Sequence, residues 1–389
     1  MRLEVIRDLA TVAAADWNAL HGTEYPFLRH EFLQALEATG CVGGRSGWEP
    51  HHLLLRDADG SLAGALPLYR KLSSYGEFVF DWAWADAYRR AGLNYFPKLV
   101  SAVPFTPATG PRLLIAPGRP RADIANRLTR GAIELAERLE ASSVHVLFPV
   151  DGEIAAWTAA GFMLRKDCQF HWHNRGYADF EAFLAGFTAE KRKKVHRERR
   201  RVAEAGITFE HLAGGDIDAR LWHRLMPHYA DSFRRRGREP YLNEAFFKRL
   251  ADTLPDSLLV IVAYLHGEPV ATAICYRSAT TLYGRYWGST AGFHSLHFET
   301  CYYQGIDYCI AHGLAAFEPG TQGEHKISRG FVPTETHSAH WLSDPRFARA
   351  IDQYLDRERT HIDEYMAVAG EHVPYRKGGT GDDDRLRDT

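Results

Sequence analysis

An internal repeat restricts the fold of this 389-residue chain more than any other feature of its sequence. GSLAGALPLYR begins at Gly60 and GEPVATAICYR begins at Gly267, and both stretches reach Tyr-Arg at the same distance from the glycine. A few residues later, Tyr75-Gly and Tyr283-Gly match at nearly the same offset. Because both matches share nearly one spacing, they favour a duplicated unit over two unrelated hairpins that look alike.

Hydrophobic patterning predicts the same order of elements in both halves. Apolar runs bounded by turn residues indicate strands, and apolar residues at helical spacing indicate helices. The first half has strands at 51–56 and 62–69, a helix over 124–139, and strands at 143–148 and 168–173. The second half has strands at 258–265, 270–276 and 281–287, a helix over 297–312 and a strand at 314–317. We therefore expect an α/β protein with two domains, 1–175 and 176–376, and a disordered polar tail at 377–389.

This doubled order of meander strands, helix, strand and Gly-Phe segment resembles the GNAT acyltransferase fold used twice, as in the Fem family of aminoacyl-transferring ligases. More closely, the chain resembles the FemAB-like family of N-acyltransferases. The stretches that carry the resemblance are residues 26–40 (PFLRHEFLQALEATG), 76–99, 103–114 (VPFTPATGPRLL), 283–288 (YGRYWG), 297–310 and 323–333 (GEHKISRGFVP). The resemblance implies two tandem GNAT-like domains, with mixed, mostly antiparallel sheets flanked by helices, and an N-acyl transfer reaction.

Composition excludes several classes of protein. Five scattered cysteines without a Cys-x-x-Cys pair argue against a disulfide scaffold or a zinc knuckle, and they favour the reducing cytoplasm. A formal net charge of −2 argues against a uniformly basic nucleic-acid coat. The charged N-terminus has no apolar segment, and no run of about 18 apolar residues occurs. We therefore expect neither a signal peptide nor integral membrane contact.

A strongly basic block, KRKKVHRERRR, covers residues 191–201. On a helix, Val195 and Val202 would mark a buried edge and the cations would surround the rest. One interpretation is a solvated basic face. The other is contact with phosphates of a donor, either transfer RNA or coenzyme A, because neutralising several phosphates gives strong, salt-dependent binding.

The GTQGEHKISRGF stretch at 320–331 contains the densest group of reactive side chains. An amine attacks an acyl group only when neutral, so the reaction needs a proton acceptor, for which Glu324 and His325 are candidates. Lys326 and Arg329 could bind pyrophosphate or stabilise the developing oxyanion. A polar surface loop is the alternative interpretation. Further candidates for substrate or donor binding in this half are Gln322, Tyr283, Arg285, His297, Glu299 and Tyr303.

The predicted helix over 297–312 argues against a metal site. His297 and Glu299 are two residues apart, so they do not share a helical face. These residues therefore form a poor set of metal ligands, and we predict no metal. Glu299 and Tyr303, four residues apart, could line a pocket instead, and helix packing is the alternative.

Residues 71–112 form a stretch rich in aromatic and charged side chains and in proline. Long segments of this kind inside compact domains are often functional. We interpret the stretch as the lining of the acceptor pocket, and a buried aromatic patch is the alternative. Its candidate binding residues are Lys71, Tyr75, Glu77, Asp81, Trp84 and Lys98.

The sequence lacks the glycine-rich loop with which GNAT enzymes cradle the pyrophosphate of coenzyme A at a helix N-terminus. This departure weakens acetyl-coenzyme A as the donor and leaves aminoacyl-transfer RNA open. We expect no permanently bound cofactor, an acyl-coenzyme A or aminoacyl-transfer RNA co-substrate, and a small-molecule or peptide amine as acceptor. A non-catalytic module that recognises a peptide, glycan or RNA stays the alternative function, because fold alone does not decide function.

Overall fold

The computed structural model describes residues 1–290, 292–321 and 323–376. The predicted tail at 377–389 and the candidate Gln322 lie outside these residues. The strands are β1 (Arg2–Ile6), β2 (Trp48–Pro50), β3 (His52–Arg56), β4 (Leu62–Leu66), β5 (Tyr69–Lys71), β6 (Lys98–Ser101), β7 (Leu114–Ile115), β8 (Ser143–Leu147), β9 (Met163–His173), β10 (Ile207–Ala213), β11 (Leu258–Leu265), β12 (Glu268–Arg277), β13 (Thr281–Ser289), β14 (Ala316–Glu318) and β15 (Val332–Leu342).

The helices are α1 (Ala14–Asn18), α2 (His30–Ala38), α3 (Trp82–Arg90), α4 (Arg121–Arg138), α5 (Asp151–Ala159), α6 (Phe180–Ala185), α7 (Ala189–Glu204), α8 (Ala219–Arg234), α9 (Glu244–Thr253), α10 (Leu296–Phe298), α11 (Gln304–Ala311) and α12 (Pro345–Glu371). A π-helical turn, Glu299–Tyr303, joins α10 to α11. Short 3₁₀ helices span Leu9–Thr11, Pro26–Leu28, Gly44–Ser46, Gly214–Asp216, Pro255–Ser257 and Glu324–Arg329.

The strands form one large sheet and one small sheet. The eleven-stranded sheet has the order β10-β11-β12-β13-β14-β9-β15-β8-β6-β5-β2, and the four-stranded sheet has the order β1-β3-β4-β7. Most neighbouring strands are antiparallel; the two parallel pairs of named strands are β6 with β8 and β13 with β14. The mixed, mostly antiparallel character expected from the sequence is therefore confirmed.

The two halves repeat one strand order and exchange their last strands. β5, β6 and β8 of the first half correspond in order to β12, β13 and β14 of the second. β9 of the first half pairs with β14, while β15 of the second half pairs with β8. β9 and β15 also pair with each other, antiparallel, at the centre of the large sheet. Because the sheet is continuous through this exchange, a domain boundary at 175/176 stays a prediction.

The predicted hairpin at 51–69 divides between the two sheets, whereas the corresponding second-half hairpin, β11 with β12, stays in the large sheet. β3 and β4 pair in the small sheet, but their continuations β2 and β5 pair in the large sheet. The predicted strand over 62–69 is therefore wrong, because it ends at Leu66 and a new strand begins at Tyr69. Pro67 occupies the break, where it has no N–H to donate to a ladder.

Two other boundaries differ from the sequence expectation. The segment at 93–112, within the stretch 71–112, contains β6, a fully buried strand whose Leu99 and Val100 pair with both β5 and β8. β9 begins at Met163, five residues before the predicted Cys168. The sequence did not indicate its first part, because that part is mostly half-buried and lacks a continuous apolar run. The other predicted strands and the helix over 124–139 are confirmed to within a few residues, while the predicted helix over 297–312 is interrupted by the π-helical turn.

Helices cover the sheets with amphipathic faces. In α4, Ile124, Leu128 and Leu135 are buried at helical spacing, and this face packs on β3 and β4. α8 packs on β12 and β13, and α12 packs on β9 and β15. α7 buries Val195 and Val202, which lie seven residues apart, so the predicted buried edge of the basic helix is confirmed.

A shared core joins the two halves. Phe27 and Phe32 from the first half contact the rings of Tyr276 and Tyr283 in the second, with centroids 5.1–5.6 Å apart. Aromatic side chains bury large areas and pack edge to face at such separations. The packing holds the end of β12 and the start of β13 in a fixed position relative to residues from the first half.

Candidate active site

The two parallel strands of the second half separate at their carboxyl ends. β13 and β14 pair only from Thr281 to Tyr283. After that point β13 continues to Ser289, while the segment that follows β14 turns away from it. A Cβ on Gly284 would lie 3.3 Å from the Pro319 Cα, so the start of the opening accepts only a very small residue there. Crevices at the carboxyl ends of parallel strands are common ligand sites.

A cavity of about 590 Å³ occupies this opening and extends between the two halves. We call it the central cavity. Its first-half wall comes from the segment 74–82, and its second-half wall comes from β13 and the end of α8. Its aromatic and charged lining includes Tyr75, Phe78, Phe80, Trp82, Asp231, Arg235, Arg236, Arg238, Arg285, Trp287, His297, Tyr302, His325 and Lys326.

Lys326 lies at the inner end of the central cavity. It is 1% exposed, and its Nζ donates a hydrogen bond to the Gly320 carbonyl oxygen at 2.5 Å. Burial lowers the pKa of Lys326 to about 7, and the Arg285 guanidinium acts in the same direction. Near neutral pH this side chain therefore exists in comparable amounts as an ammonium and as a free amine.

His325 lies one residue before Lys326 and borders the cavity on its outer side. Its Nε2 is 2.8 Å from the Tyr302 hydroxyl, so the two groups share one hydrogen. Burial, with the Arg329 and Lys326 cations, lowers the pKa of His325 below its usual value. The imidazole is therefore neutral at pH 7 and competent to accept a proton.

A second, basic pocket of about 410 Å³ lies on the other side of His325. Its cations are Lys194, Arg197 and Arg201 from α7, together with Arg329. The Arg201 guanidinium is 3.3 Å from His294 Nε2, and Lys194 Nζ is 3.5 Å from the Ser328 hydroxyl. Since His325 lines both spaces, it separates the basic pocket from the central cavity.

Arg329 connects the basic pocket to the core. It is 2% exposed and pairs with Glu198 of α7 at 2.8 Å, while the Tyr303 hydroxyl donates to the same carboxylate. The Phe298 ring covers the guanidinium, 3.4 Å from ring centroid to Cζ. Arg329 and Tyr303 thus fix α7 beside the site, and Arg329 still faces the basic pocket.

Arg285 and His297 line the central cavity. Arg285 donates to the Phe105 carbonyl at 2.6 Å, which ties the cavity floor to the first half. His297 packs against the Trp287 ring at 4.8 Å. Burial, with His325 and nearby cations, lowers the pKa of His297 to about 4, so this ring is neutral at physiological pH.

Besides Arg329 and Tyr303, three further sequence candidates of the second half lie outside the central cavity. Glu324 is exposed and accepts a hydrogen bond from the Tyr365 hydroxyl at 2.9 Å. Glu299 is buried in the π-helical turn and pairs with Arg199 at 3.2 Å. Tyr283 packs within the shared core. The structure thus brings His325, Lys326, Arg285 and His297 together, but not these three.

The first-half candidates form a buried charged cluster beneath the cavity wall. Lys98 is fully buried, and its Nζ contacts the Ser74 hydroxyl at 2.9 Å, the Glu77 carboxylate at 2.8 Å, and the Asp81 carboxylate. Burial raises the pKa of Glu77 to about 7. Although burial opposes it, Lys98 lowers the pKa of Asp81 to about 2. The cluster is closed to solvent, so these carboxylates and Lys98 do not line the cavity.

Lys71, Trp84 and Tyr75 lie around that cluster. Lys71 is fully buried over the Trp48 ring, with Nζ 3.9 Å from its centroid, and burial lowers the pKa of Lys71 to about 7. Trp84 is buried in α3 against the His340 ring at 4.9 Å. Of the six candidates between 71 and 98, Tyr75 alone is among the described residues lining the central cavity.

The sequence analysis missed two arginines of the cavity wall and one buried carboxyl group outside the cavity lining. Arg236 and Arg238 belong to the run RRRGR at 234–238, a signal that was present but not used. Glu318 at the end of β14 has a buried carboxyl oxygen without a partner, and burial raises the pKa of Glu318 to about 8. Nothing in the sequence around Glu318 indicates this burial.

The described residues show two further features. None of their helices combines the length and apolar character needed to cross a membrane. Within the same ranges, no group of three or more His, Cys, Asp or Glu is arranged to hold a metal ion.

Solved structures with the same fold cover nearly the whole chain. FemX matches with 12% identity and a TM-score of 0.53, over 90% of this chain and 100% of its own. L-PGS from Bacillus licheniformis matches with 12% identity and a TM-score of 0.52, over 91% of this chain and 97% of its own. Together with the repeated strand order, these matches confirm the predicted fold of two tandem GNAT-like units.

A search of curated proteins finds no match. A family model described as peptidoglycan biosynthesis or recognition matches residues 8–377, which is nearly the whole chain. The protein therefore belongs to the FemAB-like family, as the resemblance in its sequence predicted.

Proposed function

We propose that the protein transfers an activated acyl or aminoacyl group to an amine at the inner end of the central cavity. The amine nitrogen attacks the donor carbonyl carbon, a C–N bond forms, and the bond from that carbon to the carrier breaks. The carrier leaves with the electron pair and takes up a proton, while the nitrogen loses one. The products are an amide and the free carrier, and no covalent enzyme intermediate is needed.

The single observation that carries this proposal is the pairing of His325 with Lys326 at the cavity end. His325 is neutral and faces both the central cavity and the basic pocket, so it can accept the proton from the amine. Lys326, in its ammonium form, supplies a buried donor for the oxyanion that develops on the acyl carbon. Glu324 is not part of this proposal, because its carboxylate faces solvent.

The basic pocket is the proposed binding site for the donor's phosphates. Lys194 and Arg197 form no ion pair with a carboxylate within the described part of the chain, so their charge is free for a ligand. Both acyl-coenzyme A and aminoacyl-transfer RNA carry phosphates, which in coenzyme A lie at the far end of the pantetheine arm from the acyl group. A transfer RNA donor would also use the exposed cations along α7 and would bind with a steep dependence on salt.

The family supports an acceptor related to the cell wall. Its description, peptidoglycan biosynthesis or recognition, favours an amine of a peptidoglycan precursor over other small-molecule or peptide amines. All five cysteines are free, which fits a protein working in the reducing cytoplasm.

A transfer assay with two donor classes tests the proposal. Purified protein is incubated with acyl-coenzyme A or aminoacyl-transfer RNA and a panel of peptide and amino-sugar amines, and the new amide is detected by mass spectrometry. We expect amide formation with one donor class and loss of that turnover in His325→Gln. Tight acceptor binding with no turnover from either donor class would instead establish the non-catalytic recognition module.

A further inference from the structure

A third space, of about 430 Å³, lies where β10 ends, β11 begins and β12 ends. We call it the distal pocket. Its other walls are the 3₁₀ helices Gly214–Asp216 and Pro255–Ser257 and the end of α11. None of its described lining residues lines the central cavity or the basic pocket. The distal pocket is therefore separate from the site of the proposed reaction.

Two exposed carboxylates line the distal pocket from adjoining 3₁₀ helices. These helices pack so closely that a Cβ on Gly214 would lie 3.0 Å from the Pro255 Cα, and they carry Asp216 and Asp256. Asp216 accepts one hydrogen bond, from the Ala213 N–H at 3.0 Å. Among the residues that the structure describes, the Asp256 carboxylate has no hydrogen-bond partner, and neither aspartate forms an ion pair. Both negative charges are therefore available to an ammonium.

A histidine of the distal pocket adds a hydrogen-bond acceptor. Gln304 donates its amide N–H to Glu299 at 2.8 Å, so its carbonyl oxygen accepts from His211 Nε2 at 2.9 Å. Burial lowers the pKa of His211, so the ring is neutral at pH 7 and its single hydrogen lies on Nε2. His211 Nδ1 is therefore an acceptor, and no side chain of the described ranges donates to it. An ammonium can donate to this nitrogen, whereas an oxyanion cannot.

Arg277 supplies a positive charge to the same pocket. Its Nη1 donates to the Tyr308 hydroxyl at 2.7 Å, and no carboxylate in the described part of the chain neutralises it. Tyr308 is 8% exposed, and the His312 ring stacks on it with centroids 3.9 Å apart. The buried phenol thus holds the guanidinium in place while Arg277 itself is half-exposed. Its remaining N–H groups suit a carboxylate, which the guanidinium fork binds with two parallel hydrogen bonds.

Opposite charges thus line one small pocket without pairing with each other. Arg277 follows Tyr276, whose register partner is Leu258, and Asp256 lies two residues before Leu258. Although these groups are close along the sheet, Arg277 forms no ion pair with either aspartate. A ligand that carries both an ammonium and a carboxylate satisfies both sets of groups, whereas a singly charged ligand leaves one set without a partner.

We propose that the distal pocket binds a free α-amino acid, with its ammonium at Asp216 and Asp256 and its carboxylate at Arg277. This proposal does not depend on acyl transfer, because the pocket shares no lining residue with the central cavity. It gives the protein a second small-molecule site, and the ligand class follows from the unpaired opposite charges.

Ligand-observed NMR titrations of the full chain with three matched probes test the ligand class. L-norleucine carries both charges, pentylamine is the same molecule without the carboxylate, and hexanoate is the same molecule without the ammonium. L-norleucine should bind at least about tenfold more tightly than either singly charged probe, because each of those loses one set of charge-assisted hydrogen bonds. Equal affinities for the three probes, or no saturable binding of L-norleucine, would overturn the proposal.

Substitutions in the distal pocket test the place of binding. Arg277→Gln and Asp256→Asn should each weaken L-norleucine binding at least about fivefold, because each removes one charged partner. The matched controls are Arg220→Gln and Asp252→Asn, equal changes of charge at exposed residues outside the pocket, and both should stay within about twofold.

The Asp256→Asn variant keeps the test decisive if Arg277→Gln fails to fold after losing its bond to Tyr308, since Asp256 is exposed and supports no other residue. L-norleucine binding that is unchanged in Asp256→Asn would place the amino acid elsewhere and overturn the proposal, whether or not acyl transfer is observed. Binding that falls in Asp256→Asn but not in Asp252→Asn would uphold it even if the protein transferred no acyl group.

Discussion

The corresponding openings between parallel strands differ in the two halves. In the second half, β13 and β14 separate around a cavity that reaches Lys326. In the first half, β6 and β8 pair from Leu99 to Ser101, and the following chain returns so that Gly110 pairs with Pro149 in the space beyond. One half keeps an opening and the other fills it with its own backbone.

Arg112 completes the filling of the first-half opening. It is fully buried, and its guanidinium donates to the carbonyl oxygens of Leu147 at 2.9 Å and Ala108 at 3.1 Å. Its backbone N–H donates a hydrogen bond to the Glu153 carboxylate at 2.9 Å. A buried cation with this many acceptors is structural, because its Nε, Nη1 and Nη2 each donate to a carbonyl oxygen of the chain.

The buried lysines show the same contrast. Lys98 contacts two carboxylates and a hydroxyl, so its charge is compensated. Lys326 contacts a carbonyl oxygen and faces a cavity. The duplicated fold thus contains one buried lysine with a compensated charge and another, at a different place in its unit, that faces the cavity. What fills the opening distinguishes the two halves more than the fold does.

The largest expected effect concerns stability. Lys98→Ala leaves Glu77 and Asp81 buried without their cation, so the free energy of unfolding should fall by about 3–5 kcal/mol. Urea denaturation followed by circular dichroism measures it. The control Lys248→Ala removes a half-exposed lysine and should change stability by less than about 0.5 kcal/mol. If Lys98→Ala changed stability as little as that control, Lys98 would not be the stabilising lysine of the pair.

His325→Gln tests the proton acceptor in the open half. Loss of a general base reduces turnover by about 10²–10⁴-fold, while stability should change little because the His325 side chain is exposed. Steady-state kinetics with the donor identified in the transfer assay measure the effect. His223→Gln, at a side chain 85% exposed, serves as the control. Full activity in His325→Gln would leave the amine without an assigned proton acceptor.

A smaller effect is expected in the pH profile. If Lys326 acts as an ammonium, kcat/KM should fall as the pH rises through about 7, where that side chain loses its proton. Lys326→Arg keeps the charge to much higher pH, so its falling limb should move upward, with less than about tenfold loss at pH 6.5. A falling limb that stays near pH 7 in Lys326→Arg would assign that proton to another group.

Sequence patterns predicted the local elements well and the long-range arrangement poorly. The hairpins and α4 follow from apolar spacing, which is a local property, and the repeat follows from two matching stretches of sequence. The exchange of β9 and β15 does not, because the apolar pattern of a strand does not identify its partner. The bend at Pro67 and the short strand β6 were missed for the same reason: each depends on pairing with distant strands.

The candidate site was predicted in part. The Gly-rich stretch at 320–331 predicted His325 and Lys326 as site residues, and both line the central cavity. They are adjacent in the sequence, so no distant contact was needed to find them. In the tight 3₁₀ helix that follows Gly323, successive residues point about 120° apart, so Glu324 faces solvent while Lys326 faces inward. The opposite walls, at 74–82 and 234–238, meet only through folding, which single-sequence patterns do not show.

The most direct test of the account is Lys326→Ala, measured for turnover and stability together. Removing an unpaired buried cation should leave the free energy of unfolding within about 1 kcal/mol of the wild type, yet kcat/KM should fall by about 10²–10³-fold as the donor to the oxyanion is lost. Turnover within about twofold of the wild type in a stably folded variant would show that the chemistry does not take place at this end of the cavity.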